Sequence, residues 1–416
     1  MFYKTKKCEL MRGFYSCLSI LIVWTILIAA TVFNQGDLVF AGLKTELIII
    51  YFIVTFICGS LLSERLSECT EQINPQVLSK LGKRVIIIAL FVYFFAIMIL
   101  LARVQFYALY LDIHLSRVQI YSPDKNLDGP LFSVLYVAVL YLKGVVAVFV
   151  YFAFVKYLLD GEKIVPVIIS VFIVADALIF NARGPIIELV FLLFVFSILN
   201  SNFSPQKLLG LFVFTCPILI IFYLLADGRV SDAVTNGRGY IMIKDLAHYI
   251  SVGPILLSYA VDFGHNFNGL SEKVENLSII LSGYDYFNSL LLRAAGVPAQ
   301  TLGYDWIKML NAPLVIGQAQ HQFMVQTTFY TLLAEPYLAF GIGGVICLGF
   351  ILGASLRTLE YRSFFKRCDF SLFWFIYLFK IALFGIFVSP FTSVIFWLVM
   401  IFLLFFSQFI FVKRDA

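Results

Sequence analysis

Four arginines are the residues of this chain best suited to binding an anionic ligand. They lie in or beside the stretches that separate apolar runs, at Arg183, Arg229, Arg238 and Arg293. A guanidinium stays charged and can donate two parallel hydrogen bonds to a phosphate or a carboxylate. These arginines therefore indicate a site for a phosphate-bearing substrate.

A histidine supplies the main candidate for proton transfer. His321 ends a glutamine-rich stretch, directly before an apolar run. Histidine titrates near neutral pH and can act as a general base or acid, although a lone histidine also often serves only as a structural hydrogen bonder. Asp232, Asp262 and Glu335 are alternatives for the base, and the sequence does not rank them.

Arg183 allows two interpretations. It stands in a break of only four residues between two apolar runs, and an arginine near bilayer depth costs about 2.5–3.5 kcal/mol. Asp176 and Glu188 are near enough along the chain to pair with it and to close a hairpin by ion pairs. The alternative is that Arg183 lines a cavity and meets the phosphate-bearing substrate.

The composition defines the scaffold that must position these residues. The chain has 416 residues, of which 61% are hydrophobic and 13% charged, and its mean hydropathy is +0.95. Soluble domains carry about 25% charged residues, so this chain has too few charges to cover a water-facing surface. Seven cysteines among 416 residues also exclude a disulfide scaffold. The composition predicts a polytopic membrane protein.

Apolar runs between polar breaks predict an all-α fold with about ten transmembrane helices, in one integral membrane domain over 1–416. The predicted spans are 14–34, 44–62, 85–104, 131–155, 164–181, 185–200, 208–226, 335–356, 371–388 and 391–412.

The distribution of lysine and arginine predicts the orientation. If both termini are cytoplasmic, 17 of the 30 cationic side chains fall in short cytoplasmic loops and tails, and 11 fall on the other side, spread over a much longer length. Short cytoplasmic loops are enriched in Lys and Arg. The sequence therefore predicts that both termini are cytoplasmic.

One loop is far longer than a connector. It covers 227–334, before the eighth predicted span, on the side opposite the termini. Apolar residues at helical spacing near 242–253 and 277–291 predict that the loop is partly helical, with interfacial or re-entrant helices.

Several common signatures are absent. The sequence contains no GxxxxGK[ST], HExxH, GxSxG or DxD motif. Their absence argues against ATP-driven transport and against a nucleotide-sugar enzyme, and predicts neither a metal nor a cofactor. The net charge of +5 is spread over loops and does not indicate a nucleic-acid partner.

Three local features carry a resemblance to a known family. They are the Asn181-Ala182-Arg183-Gly184-Pro185 hairpin, the arginine-bearing loop, and the stretch from His321 through Glu335 into Phe340-Gly341-Ile342-Gly343-Gly344. With the predicted topology, the chain resembles Wzy-type oligosaccharide repeat-unit polymerases, which act in O-antigen or capsule biosynthesis.

The resemblance implies a metal-independent glycosyltransferase at the periplasmic face of the bacterial inner membrane. Such an enzyme moves the growing glycan from undecaprenyl pyrophosphate to the non-reducing end of an incoming lipid-linked repeat unit. Arg183, Arg229, Arg238 and Arg293 would hold the two pyrophosphates, with His321, Arg183 and Arg293 as the catalytic set. The implied partners are the lipid-linked oligosaccharide, the bilayer, a chain-length regulator and a flippase.

Two other functions remain open at this stage. An O-antigen ligase, which transfers glycan to lipid A-core, has nearly the same topology. A lipid-linked oligosaccharide transporter is the rival of a different class, because ionisable residues inside predicted spans often line a transport route. Those residues are Lys143, Asp176, Glu188 and Lys380.

Overall fold

The computed structural model consists mostly of helices. It describes residues 15–33, 43–69, 75–110, 125–179, 184–200, 257–258, 261, 279–294, 313–316, 323–326, 331–385, 389–391 and 393–413. The chain divides into two compact units. The first unit comprises Met1–Ile73, Val234–Arg362 and Tyr377–Ile401, and the second comprises Asn74–Ala233, Ser363–Ile376 and Phe402–Ala416.

The described elements are ten α-helices and four short strands. The helices are α1 (Tyr15–Phe33), α2 (Leu43–Cys69), α3 (Lys80–Tyr110), α4 (Lys125–Leu159), α5 (Ile164–Ile179), α6 (Gly184–Leu199), α7 (Ser282–Ala294), α8 (Ala334–Phe365), α9 (Asp369–Phe384) and α10 (Val394–Ile410). The strands are β1 (Gln76–Leu78), β2 (Pro313–Ile316), β3 (Phe323–Gln326) and β4 (Phe411–Lys413).

Four helical stretches among the described residues are long and apolar enough to cross a membrane. They are Leu43–Ser63, Lys80–Ala102, Ala138–Leu159 and Ala334–Phe365. Large apolar side chains are exposed along them, with Ile88, Phe91 and Phe95 of α3 each about 60% exposed. Exposed apolar surface of this kind suits contact with lipid. The prediction of a helical membrane protein is confirmed at this level.

The structure does not test the predicted number of transmembrane spans. Helices occur at nine of the ten predicted spans, and 208–226 lies outside the described residues. The apolar pattern over 277–291 predicts a helix, and α7 is found at Ser282–Ala294. Ten transmembrane spans, and the side on which each loop lies, remain predictions.

Four consecutive helices, α3 to α6, pack together in the second unit. Phe94 of α3 stacks near Phe172 of α5, with ring centroids 5.1 Å apart. At one end of this unit, the N–H of Leu78 and the ammonium of Lys156 both donate to Asp369, at 2.9 and 3.1 Å. The segments that flank α3, α4 and α9 therefore meet at a common end.

Close helix packing in the first unit depends on glycine. A Cβ added at Gly353 of α8 would lie 2.1 Å from the carbonyl oxygen of Phe56, and one at Gly59 of α2 would lie 2.2 Å from that of Phe350. Gly349 and Gly353 form a small-xxx-small pair, the spacing that lets two membrane helices approach closely. Because neither glycine carries a side chain, the backbones of α2 and α8 lie almost in contact.

A glycine also breaks α8 near its start. Gly341 has φ 62° and ψ −149°, outside the helical region, so α8 consists of a short first segment, 334–340, and a long second segment, 342–365. Glycine adopts this conformation without the steric penalty that other residues face.

The four strands were not predicted. β1 pairs antiparallel with β4, and β2 pairs antiparallel with β3. β2 and β3 lie within the predicted loop 227–334, on either side of residues 317–322. Their apolar sequences, PLVI and FMVQ, include the β-branched residues that favour strands.

Candidate functional site

Most of the residues predicted to do chemistry lie outside the described part of the chain. The positions in question are Arg183, Arg229, Asp232, Arg238, Asp262 and His321. The backbone of Arg293 is described as part of α7, whereas its side chain is not. Among the alternative candidates for the base, Glu335 has a described side chain.

Glu335 is a completely buried carboxylate in the first turn of α8. Pro336 follows it and suits the start of a helix, because the first N–H groups of a helix have no partner within the helix. A carboxylate in a first turn is also stabilised by the helix dipole. Local sequence therefore explains where α8 begins, but a carboxylate in that position is normally exposed to water.

The turn before α8 docks onto the end of α9. The N–H of Leu332 donates to the carbonyl oxygen of Gly385 at 2.5 Å, and the N–H of Ala334 donates to that of Thr331 at 3.1 Å. A Cβ at Gly385 would lie 2.8 Å from the Cβ of Leu332, so the close approach requires glycine. These contacts fix the position of Glu335 relative to the break that follows α9.

Ser389 lies in that break and is the hydrogen-bond partner of Glu335. Its Oγ donates to Oε2 of Glu335 at 2.6 Å, and both side chains are buried. The sequence marks a helix break at each position, Glu335-Pro336 and Ser389-Pro390, and offers Glu335 as one candidate for the base. The structure brings the two breaks together.

The start of α7 reaches the same segment. The N–H of Gly283 donates to the carbonyl oxygen of Phe391 at 3.0 Å, and the indole N–H of Trp397 donates to that oxygen at 2.9 Å. Residues 389–391 are thus held by the first turn of α7 through Phe391 and by the first turn of α8 through Ser389. The starts of α7 and α8 therefore converge on one short segment, and the turn before α8 also contacts Gly385 at the end of α9.

Buried oxygen atoms at this convergence lack partners among the described residues. They are Oε1 of Glu335, Oγ of Ser282 and Oγ1 of Thr331. All three side chains are fully buried. Buried polar atoms nearly always have a hydrogen-bond partner, and leaving one without a partner costs about 1–3 kcal/mol. We refer to Ser282, Thr331, Glu335 and Ser389 as the Glu335 cluster.

α7 runs from the Glu335 cluster to Arg293, which is predicted to bind phosphate. Arg293 follows Ser282 by eleven positions in one helix, which places its Cα about 16 Å along the axis at 1.5 Å per residue. The cluster and Arg293 therefore mark the two ends of one rigid element. A helix of this length can therefore bring two binding residues to different parts of an extended ligand.

A second group of ionisable residues lies in the second unit. Nζ of Lys143 donates to Oδ1 of Asp176 at 2.5 Å, and the hydroxyl of Tyr93 also bonds to Asp176. The hydroxyl of Tyr151 donates to Oε2 of Glu188. We refer to these five residues as the Lys143 network. Asp176 is considered above as a partner for Arg183, and the structure gives it Lys143 as a partner.

A third buried carboxylate lies far along α8. Oε2 of Glu360 accepts a hydrogen bond from Oγ of Ser16 at 2.5 Å, and Oε1 has no partner among the described residues. The positive charge of Arg357, one turn earlier on the same helix, stabilises the ionised form of this carboxylate. Glu360 thus resembles Glu335 in burial but has a cation nearby.

Comparison with known proteins finds no similar family, protein or structure. In the part of the chain that the structure describes, no three His, Cys, Asp or Glu side chains form a group that could hold a metal ion. Metal-independent chemistry remains a prediction from the sequence.

Sequence reasoning missed Ser282, Thr331 and Ser389. Isolated serines and threonines in apolar chains are common, and their type carries little information. The available signal was position, because Ser389 stands in a break between two apolar runs and Thr331 precedes another break. Irregular backbone at the ends of membrane helices can line a binding site, so polar residues at such ends are candidates for site residues.

Proposed function

We propose that this protein is a Wzy-type polymerase of lipid-linked oligosaccharide repeat units, acting in O-antigen or capsule biosynthesis. It transfers the growing glycan from undecaprenyl pyrophosphate to the non-reducing end of an incoming lipid-linked repeat unit. The observation that carries the proposal is the Glu335 cluster, which lies buried in an apolar membrane chain and is joined by α7 to Arg293. Hydroxyl-rich and pyrophosphate-bearing parts of one substrate would suit these two ends.

Cationic side chains supply the main catalytic requirement of this reaction. A sugar linked to pyrophosphate already carries a good leaving group, so stabilising the departing negative charge assists the transfer. Arg183, Arg229, Arg238 and Arg293 are proposed to hold the two pyrophosphates by bidentate hydrogen bonds. His321 is the proposed catalytic residue near the acceptor, together with Arg183 and Arg293.

The proposal places the chain in the inner membrane of a bacterium. Both termini would be cytoplasmic and the loop 227–334 periplasmic, so that Arg293 and the Glu335 cluster would face the compartment where lipid-linked repeat units are joined. The short cytoplasmic loops rich in lysine and arginine support this orientation. A flippase that delivers the repeat unit and a chain-length regulator are the proposed partners.

Deletion in the native host, followed by gel electrophoresis of surface glycan, tests the proposal. A polymerase deletion leaves lipopolysaccharide capped with one repeat unit and removes the ladder of longer chains. A ligase deletion leaves no repeat unit on the lipid A-core. Either a complete ladder or loss of every repeat unit contradicts the proposal.

Complementation with Arg293 variants tests the site. We expect Arg293→Ala to lower chain extension about 100-fold or more, as removal of one donor to a developing anion does. Arg293→Lys keeps the charge but loses the bidentate geometry and should give an intermediate ladder. Arg362→Ala in the last turn of α8 is the matched control, with an unchanged ladder expected. A normal ladder with Arg293→Ala would contradict its assignment.

Transport of lipid-linked oligosaccharide is the second candidate, because the Lys143 network places ionisable groups inside predicted spans. Such residues often mark routes for ions or polar substrates. The deletion experiment separates the two functions. A transporter deletion leaves lipid-linked repeat units unavailable to any periplasmic enzyme, so even the single repeat unit disappears from the surface.

A further inference from the structure

We infer that the Glu335 cluster binds the acceptor sugar, and that the Glu335 carboxylate takes the proton of the attacking hydroxyl. The inference rests on the proposed function and assigns the acceptor end of the reaction to described residues. It gives Glu335 the role of general base and leaves His321 to bind or orient substrate.

One of the two carboxylate oxygens of Glu335 has no hydrogen-bond partner among the described residues. The carboxylate is fully buried, accepts one side-chain hydrogen bond from Ser389, and forms no ion pair with the described residues. A buried carboxylate without a counter-charge is costly unless other donors satisfy it. Oε1 therefore needs a donor, and a hydroxyl of a bound substrate would supply one.

The other side chains of the Glu335 cluster have the chemistry of a sugar-binding site. Ser282 and Thr331 each carry a hydroxyl that can both donate and accept, and neither has a partner among the described residues. A sugar presents several hydroxyls of the same kind, which can pair with groups of this type. A pyrophosphate would be repelled by the carboxylate. The cluster therefore suits the sugar end of a substrate.

Glu335 lies in the short segment of α8 that precedes the break at Gly341. Residues 342–365, after the break at Gly341, are long enough at about 1.5 Å per residue to cross the roughly 30 Å apolar core of a bilayer. Segment 334–340 is then left at the membrane edge, on the side predicted to be periplasmic. Glu335 would lie where an acceptor sugar can approach while its lipid tail stays in the bilayer.

The chemical step balances with these groups. The acceptor hydroxyl oxygen forms a bond to the anomeric carbon of the donor glycan. The bond from that carbon to the pyrophosphate oxygen breaks, and its electron pair leaves with undecaprenyl pyrophosphate. The hydroxyl proton passes to Glu335, which later releases it to water. No oxidant, reductant or further reactant is needed.

A purely structural role is the competing explanation. Glu335 lies in a first helical turn and bonds to Ser389, so it could serve only to hold α8 against residues 389–391. The two roles differ in their readouts. A structural residue changes stability, whereas a base changes kcat much more than KM and tolerates replacement by another carboxylate better than by an amide.

The experiment uses the full-length protein, purified in detergent and placed in lipid vesicles. The probe is the undecaprenyl-pyrophosphate-linked repeat unit extracted from the deletion strain, and chain extension is followed by mass spectrometry. Glu335→Gln keeps the shape but removes the base, and Glu335→Asp keeps a carboxylate. Glu360→Gln is the matched control on the same helix, since Glu360 is also buried and also bonded by a serine.

We expect Glu335→Gln to lower kcat about 100-fold or more, the contribution typical of a general base, with little change in KM or Tm. Glu335→Asp should recover part of the rate, and Glu360→Gln should keep the wild-type rate in whatever protein remains folded. Wild-type kcat in Glu335→Gln would overturn the inference, as would a loss of rate explained by an equal loss of folded protein.

Two further results keep the test decisive. If Glu335→Gln does not accumulate, Ser389→Ala replaces it, with a lower kcat/KM expected, and an unchanged kcat/KM overturns the inference. If the wild-type protein itself does not extend the probe, the proposed function fails. If the wild-type protein extends the probe and Glu335→Gln extends it at the same rate, the proposed function stands and only the role of Glu335 fails.

Discussion

Two groups of polar side chains, one in each unit, differ in how completely their hydrogen-bonding atoms are paired. In the Lys143 network of the second unit, Asp176 has a lysine and a tyrosine as partners, and Glu188 has Tyr151. In the Glu335 cluster of the first unit, Glu335 has Ser389 as a partner for one oxygen, while Oε1 and two neighbouring hydroxyls have none among the described residues.

This difference in hydrogen bonding indicates a folding role for the Lys143 network and a binding role for the Glu335 cluster. Ionisable groups are costly in an apolar environment, so each must gain compensating contacts. A network that supplies those contacts internally needs no ligand, and its main effect is on the packing of α3 to α6. A cluster that leaves oxygens without partners gains contacts when a hydroxyl-bearing ligand binds. We therefore expect substitutions in the first group to change stability and substitutions in the second to change activity.

The largest expected effect on stability is at Asp176. Asp176→Asn leaves the ammonium of Lys143 without its counter-charge. Because the Lys143 side chain is 17% exposed, we expect a loss near the lower end of the about 3–5 kcal/mol that breaking a buried pair costs. Thermal unfolding in detergent, with chain extension measured on the remaining folded protein, is the appropriate measurement. The extension rate per folded molecule should remain normal.

A double variant serves as the control. Asp176→Asn together with Lys143→Gln replaces the ion pair by two amides, which removes the isolated charge and should recover most of the stability. Equal destabilisation in the single and double variants would contradict the ion-pair account. A loss of activity per folded molecule in the double variant would show that the Lys143 network has a functional role, and would favour transport.

A matched pair of hydroxyl deletions gives the next effect. Tyr151→Phe and Ser389→Ala each remove the hydroxyl that donates to a glutamate, half-buried Glu188 in one case and fully buried Glu335 in the other. A hydrogen bond to a charged group contributes about 1.5–3 kcal/mol, so a loss of stability in this range is expected for Tyr151→Phe, without a change in activity. Ser389→Ala should lower kcat/KM for the lipid-linked repeat unit. The same activity profile for both variants would remove the distinction between the two groups.

The smallest expected effect concerns the helix crossing that holds α8 in place. Gly353→Ala pushes a methyl group against the carbonyl oxygen of Phe56, and overpacking of this kind costs about 1–3 kcal/mol. Gly343→Ala on the same helix meets nothing within 4 Å and should be neutral or slightly stabilising. The measurement is the Tm of each variant in the same detergent. Equal Tm values for the two variants would contradict the close contact of α2 and α8.

Local patterns in the sequence were sufficient to predict most helices. Uninterrupted apolar runs correspond to the helices from α1 to α6 and from α8 to α10, and the pattern over 277–291 corresponds to α7. The starts of α8 and α10 were also indicated, because Glu335-Pro336 and Ser389-Pro390 interrupt apolar runs. These features depend on neighbouring residues, so the order of residue types is enough to predict them.

Contacts between distant residues could not be predicted in the same way. Ser389 is 54 positions from Glu335, and Lys143 is 33 positions from Asp176. Nothing in either local sequence specifies such a partner, and Asp176 has a nearer candidate in Arg183. The pairing of β1 with β4 also joins segments far apart in the chain. The roles of Arg183, Arg229, Arg238 and His321 remain predictions from the sequence.

Chain extension by the purified protein separates a polymerase from a transporter in one measurement. The purified wild-type protein in vesicles is given the lipid-linked repeat unit from the deletion strain, and the products are resolved by mass. The proposal predicts products that grow by whole repeat units, with one undecaprenyl pyrophosphate released for each unit added. A repeat unit that stays at its original mass, or one that crosses the vesicle membrane without growing, would contradict the claim.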